Sequence, residues 1–138
     1  MSVVISSLGI ETSNIVNLNA NILTKTCEYF DLPLNLEIFS DMNLAVGEVN
    51  HPGEWALKIS KAINATQYIN PIGGIEIFNP TQFDLAGISL KFLANNLKMY
   101  SQRRSVFEPS LSIIDVMMFN DKDNIRELIC DFEYISGS

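Results

Sequence analysis

The sequence predicts an α/β fold: a small, mostly parallel sheet with helices packed on its faces in a Rossmann-like three-layer arrangement. Three observations carry that expectation. Apolar residues recur at helical spacing in some stretches and alternate with polar ones in others. Proline and glycine fall between those stretches as starts and stops. The order of the stretches, strand, helix, strand, helix, strand, is the βαβ rhythm, which implies right-handed crossovers. At 138 residues the chain fits one domain, 1–138, with a single core.

Val3 to Ser6 is β-branched enough to predict a short strand, with a turn at Gly9. Ile15, Leu18, Ile22, Leu23, Cys27 and Phe30 keep helical spacing and predict a helix over 14–30, stopped by Pro33. Leu34, Leu36 and Ile38 alternate with Asn35 and Glu37, which predicts a strand over 34–39 ending at Ser40-Asp41. "NHPGEW" announces a helix, with Pro52 at its first position and Glu54 in its first turn, where the helix dipole favours an anion. Gln67 to Asn70 reads as a strand running into "PIGG", and Ile75 to Phe78 as a further extended piece. "NPTQFDLAG" is a short helix with Asn79 as cap, Pro80 at its first position and Gly87 as its stop. Ile88, Leu90 and Phe92 alternate with Ser89 and Lys91, the pattern of a strand with one wetter face. The aperiodic stretch from Ala94 to Ser110 predicts a long connection, long enough to suggest a functional loop. Two helices, 112–119 and 124–132, complete the chain, and "SGS" at 136–138 is expected to fray.

A hydrophobic content of 47% and a charged content of 18% are those of a globular chain. Acids outnumber bases 16 to 9, for a net charge of −7, which disfavours non-specific binding to nucleic acid or anionic lipid. No window reaches the roughly 18 apolar residues of a membrane span, and the N-terminus lacks the basic start of a signal peptide. A soluble, cytoplasmic chain is therefore expected. Cys27 and Cys130 show neither CxxC spacing nor a neighbouring histidine; both read as buried thiols in a reducing compartment, and no metal or cofactor motif is evident.

Four constellations carry chemistry. In "YINPIGG", Tyr68 to Gly74, paired glycines let the backbone approach a ligand and Asn70 offers a donor and an acceptor; an ordinary strand exit is the competing reading. The segment is neither a P-loop nor a GxGxxG loop. Asp115 stands in the apolar run Ile113, Ile114, Val116, Met117, Met118, Phe119, where a carboxylate is placed to act as general acid or base. Paired with Ser112 three residues earlier, it also resembles a capping box. His51 is the only histidine, so imidazole chemistry falls to it, with helix capping as the alternative. Lys98, Arg103 and Arg104, beside Tyr100 and Phe107, form one basic stretch, suited to gripping a phosphate or sugar phosphate or to lying as a solvated loop.

"PGEWALKISKAINATQYINPIGG" (52–74), "GISLKFL" (87–93), "FEPSLSIIDVMMFN" (107–120) and "IRELICDFEYI" (125–135) occur in that order, and together they resemble the C-terminal half of the WbqC-like proteins. The positions carrying the resemblance are Glu54, Trp55, Asn70, Pro71, Gly73, Gly74, Phe107, Pro109, Ser110, Ser112, Asp115 and Asn120. The N-terminal family segment similar to "QPxYLPWxGY" has no counterpart here, which implies a natural half-length variant, a truncated product, or one half of a protein whose other half a second chain or a homo-oligomer supplies. The resemblance further implies a cytoplasmic transferase, or transferase half, of bacterial O-antigen or other surface-polysaccharide biosynthesis, adding an aminoacyl group such as glycine to a sugar. In that role Asp115 and His51 are the catalytic candidates, and Asn70, Gly73, Gly74, Glu54, Trp55, Arg103, Arg104, Ser112 and Asn120 the ligand-binding ones. A nucleotide-sugar or aminoacyl donor and a sugar or sugar-phosphate substrate are the small molecules expected. Two other readings stand beside it: a non-catalytic partner domain whose motifs are structural, and a nucleotide-binding α/β domain.

Overall fold

The computed structural model describes residues 2–137, so the expected fraying of the tail falls, for Ser138, outside the described residues. The chain divides into two compact units, Met1–Met42 with Lys98–Leu128, and Asn43–Leu97 with Ile129–Ser138.

The first unit is helical. Helix α1 (Ser2–Leu8) packs on α2 (Ile15–Tyr29). The strand expected at Val3–Ser6 is thus the middle of α1. Its β-branched residues are overridden by a partner distant in sequence: Asn21 Nδ2, on α2, donates to the Ser7 carbonyl at 2.8 Å and satisfies a group at the end of α1 that has no partner within the helix. Helix α2 is capped by Asn14, whose Oδ1 accepts from the Val16 N–H at 2.8 Å. It ends at the buried Phe30 and at Asp31, which holds a left-handed φ of 53°. The strand expected at Leu34–Phe39 does not form. Among the described residues the segment joins no sheet, Leu34 and Leu36 are exposed, and a 3-10 turn appears at Phe39–Asp41; alternation alone, without a neighbouring strand, makes no strand. Helices α5 (Ile113–Phe119) and α6 (Lys122–Cys130) follow the long connection. Ile125 of α6 is fully buried, and Lys122 bonds Asp31 Oδ2 at 2.5 Å, holding the Asp31 carboxyl below its ordinary range.

The second unit holds the sheet. Helix α3 (Pro52–Ala62) leads to β1 (Gln67–Pro71), then α4 (Pro80–Leu85) to β2 (Ser89–Asn95), and β3 (Phe132–Ser136) closes the chain. The strand order is β1-β2-β3, with β1 parallel to β2 (Tyr68 opposite Leu90) and β3 antiparallel to it (Phe92 opposite Ile135). The sheet is therefore open, three-stranded and mixed, and the fold is mixed α/β rather than a mostly parallel three-layer one. The difference comes from β3. Phe132 continues the helical spacing of Ile125, Leu128 and Ile129, yet α6 stops at Cys130 and residues 132–136 cross back onto β2. Cys130 is exposed and Cys27 half-buried, so the expectation of two buried thiols fails for Cys130.

Leu57, Phe83, Ile88, Leu90 and Phe92 form the core of this unit, with Tyr68 and Phe78 packed against it. The rings of Tyr68 and Phe83 stack at 5.7 Å, and Phe78 meets Phe83 edge-on at 6.0 Å. Such contacts contribute beyond area burial.

Candidate functional site

Two polar regions contain the residues that the sequence singles out, one in each unit.

In the second unit, α3 opens on His51, whose Nδ1 accepts from the Gly53 N–H at 3.1 Å. Proline at the first helical position needs no partner for its nitrogen, so this bond satisfies the first available donor of the helix. Glu54 Oε2 accepts from the Asn50 N–H and pairs with Lys58 Nζ, each at 3.0 Å. Those two interactions, the backbone one first, hold the Glu54 carboxyl below its ordinary value of 4.5. A Cβ at Gly53 would run into the Ile77 carbonyl, so glycine lets the turn after β1 lie directly on the start of α3. That turn replaces the extended piece expected at Ile75–Phe78. Ile72–Gly74 is a 3-10 turn, and the Ile75 and Ile77 N–H groups donate back to the Ile72 and Gly74 carbonyls at 3.1 and 3.0 Å. Asn70 is engaged at both ends of its amide, Oδ1 accepting from Tyr68 Oη at 3.0 Å and Nδ2 donating to the Pro71 carbonyl at 2.9 Å. Gly74 is buried against that amide and the Phe78 ring, whereas Gly73 is exposed with open space around its Cα. His51, Glu54, Glu76, Asn79 and Gln82 line a cleft of about 280 Å³ here. Trp55, on another face of α3, instead lines an apolar groove of about 540 Å³ with Ile59, Ile63, Tyr68 and Ile69. Glu54 and Trp55, adjacent in sequence, thus serve different surfaces.

In the first unit the connection 98–110 folds onto α5. Tyr100 Oη donates to Asp115 Oδ2 at 2.6 Å, and Gln102 Nε2 donates to the same oxygen at 3.1 Å. Gln102, only 6% exposed, also clamps the loop to itself: Nε2 donates to the Glu108 carbonyl at 2.9 Å, and Oε1 accepts from the Glu108 N–H at 2.8 Å. The Tyr100 ring meets Phe107 edge-on at 5.3 Å. Burial, and then the Asp115 carboxylate, push the Tyr100 phenol above its ordinary value of 10.0. Ser112 caps α5, its Oγ accepting from the Ile114 N–H at 3.2 Å. The serine half of the capping box is present, while the Asp115 carboxylate reaches across to the loop. Asn120 ends the same helix, with Nδ2 donating to the Val116 carbonyl at 2.9 Å. Arg103 and Arg104 are exposed on the loop; Arg103 and Ser110 both take left-handed backbone, φ 54° and 60°, a conformation that costs a non-glycine residue about 1 kcal/mol.

Each unit therefore gathers part of the expected set: His51 with Glu54 in one, Asp115 with Ser112 and the loop in the other. The residues sequence reasoning misses are Gln102, Glu76 and Gln82. A glutamine in an aperiodic loop carries no local signal of burial, and only the compact fold of 98–110 reveals it. Among the described residues no group of three or more His, Cys, Asp or Glu side chains is placed to hold a metal ion, and no helix is long and apolar enough to cross a membrane.

No curated protein and no solved structure matches the chain. Against known families, residues 1–127 match the WbqC-like protein family. The matched stretch contains α1 and α2 as well as every block carrying the resemblance up to Asn120, so the likeness runs over essentially the whole chain and gives no support to a half-only match. With nearly its whole length in the match, this chain belongs to the WbqC-like protein family.

Proposed function

We propose that the protein is a transferase of surface-polysaccharide biosynthesis, working in the cytoplasm and moving an acyl group, an aminoacyl group such as glycine in the simplest case, from an activated donor to a sugar. The observation that supports this most is the convergence of Tyr100 and Gln102 on one oxygen of Asp115, a residue of the 107–120 segment that resembles the family. Donors fixed in advance around a carboxylate orient it at little cost during reaction. In the proposed step a sugar hydroxyl or amine gives its proton to Asp115 while its oxygen or nitrogen bonds the acyl carbon. The bond to the leaving group breaks with its electron pair, and Asp115 returns the proton to that group. Arg103 and Arg104, on the same loop, contact the donor's phosphates. His51 and Glu54 form a second binding element in the cleft of the other unit, whereas Asn70 and Gly74 are occupied by the turn they build.

The test is a thermal-shift panel of sugar nucleotides and aminoacyl donors, followed by product detection by mass spectrometry. A productive ligand raises the melting temperature. Asp115→Asn keeps that shift and loses about 10²-fold or more in turnover; full turnover in the variant refutes the acid–base role. The apolar groove beside the unpaired edge of β1 favours a second reading, a partner domain. A wholly silent ligand panel together with a mass above that of one chain in solution would favour it.

A further inference from the structure

A second cleft of the first unit, about 390 Å³ in volume, is lined by the start of the 98–110 loop, the end of α5 and one face of α6. Its polar walls are Tyr100, Ser101, Asn120, Asn124 and Glu127, with Lys98 contributing the cation. Hydroxyls and carboxamides both donate and accept, which matches a ligand whose own groups do both. Asn120 is already oriented: one N–H of its Nδ2 is held by the Val116 carbonyl, which fixes the carboxamide and leaves its second N–H and its oxygen to offer. Phe119 and Tyr100 supply aromatic surface against which the carbon face of a ring can lie.

The electrostatics argue against an anion. The start of α6, which would otherwise attract a phosphate, is capped by a carboxylate, Asp121 Oδ1 accepting from the Asn124 N–H at 2.9 Å. In the wall itself Glu127 offsets Lys98. We infer that this cleft receives an uncharged, polyhydroxylated ring, the sugar itself, and that phosphate is excluded from it. Tyr100 belongs both to this wall and to the Asp115 network, so a sugar bound here contacts the residue whose hydroxyl is bonded to Asp115 at 2.6 Å. The inference rests on the transferase reading only in taking that sugar as the acceptor.

The probes are the methyl glycosides of glucose, galactose and N-acetylglucosamine at millimolar concentration, followed by saturation-transfer NMR on the full chain, with inorganic phosphate and uridine diphosphate as charged competitors. Ring protons of at least one glycoside receive saturation, and neither competitor displaces it. The double variant Asn124→Leu, Glu127→Ala, at two exposed positions of α6, weakens binding roughly tenfold, as expected for the loss of one or two hydrogen bonds. Should that variant fail to fold, amide shifts of the unaltered chain decide: changes at Ser101, Asn120 and Asn124 support the site, and changes confined to residues 43–97 overturn it. Absence of transfer to all three glycosides, transfer unaffected in the folded double variant, or displacement by phosphate also overturns it. Asp115→Asn separates the two proposals: retained sugar binding with unchanged turnover refutes the acid–base role and leaves the cleft standing, whereas lost turnover with sugar bound outside the cleft does the reverse.

Discussion

The corner of the second unit formed by His51, Gly53, Asn70 and Gly74, and the loop of the first unit closed by Tyr100, Gln102 and Asp115, both lie in stretches that look functional in sequence, and they do opposite things with their polar groups. At the corner the groups are taken up by neighbours in their own segment: the imidazole caps a helix, the Asn70 amide bonds the Tyr68 hydroxyl and the Pro71 carbonyl, and the glycines permit close contact of chain segments. In the loop, side chains from separate segments converge on a single carboxylate oxygen. A motif rich in glycine and asparagine is thus explained here by packing, and an aspartate that resembles a cap is explained by something more than capping.

The sharpest way to break this contrast is at the corner. Gly53→Ala must displace the Ile77 carbonyl, and Gly74→Ala the Asn70 amide. Each is expected to cost about 1–3 kcal/mol of stability in denaturant unfolding, with hydrogen-exchange protection across 98–110 unchanged. Gln102→Ala strands the Glu108 N–H and carbonyl and one donor to Asp115, an expected loss of about 1–3 kcal/mol. In hydrogen exchange, protection should drop across 98–110 and stay intact in β1 and β2; a uniform drop would remove the distinction between the two regions.

Much of this architecture is legible in sequence where the determinants are local. His51-Pro52, Asn79-Pro80 and Ser112 announce helix starts within a few residues, and each is found capping where expected. What could not be read depends on distant partners. Val3–Ser6 is helical because Asn21 caps it, Leu34–Phe39 joins no sheet among the described residues, and β3 exists because β2 offers it an edge. The same holds for the site: Asp115 was visible as an anomaly in an apolar run, but Gln102 becomes important only once the loop has closed around it.

Smaller effects sharpen the comparison further. Tyr100→Phe removes one hydroxyl from the Asp115 network and is expected to cost about 0.5–1.5 kcal/mol. Because the folded-state value of Tyr100 is raised, its stabilising contribution is complete below the ordinary value of 10.0 and is lost as pH climbs through the higher folded one. Tyrosinate absorbance should show a late-titrating component that shrinks in the variant, the part left belonging to Tyr68, whose phenol burial also raises. Glu54 has the opposite sign. Its depressed carboxyl stabilises the fold above the ordinary value of 4.5, and that contribution fades as pH falls through the lower folded value. Melting temperatures of Glu54→Gln should therefore depend less steeply on pH below about 4.5 than those of the unaltered chain; parallel curves would show that Glu54 titrates alike in both states.

Residues 128–138 lie past the matched stretch 1–127, yet they include β3, and the Gly137 N–H donates to the Leu90 carbonyl at 3.1 Å. Trimming the protein to the matched residues would cut into α6, leave β1 and β2 as a two-stranded pair resting on α3 and α4, a weaker sheet than three strands make, and uncover the edge against which Phe92 and Leu93 are paired. The boundary of resemblance is not the boundary of folding.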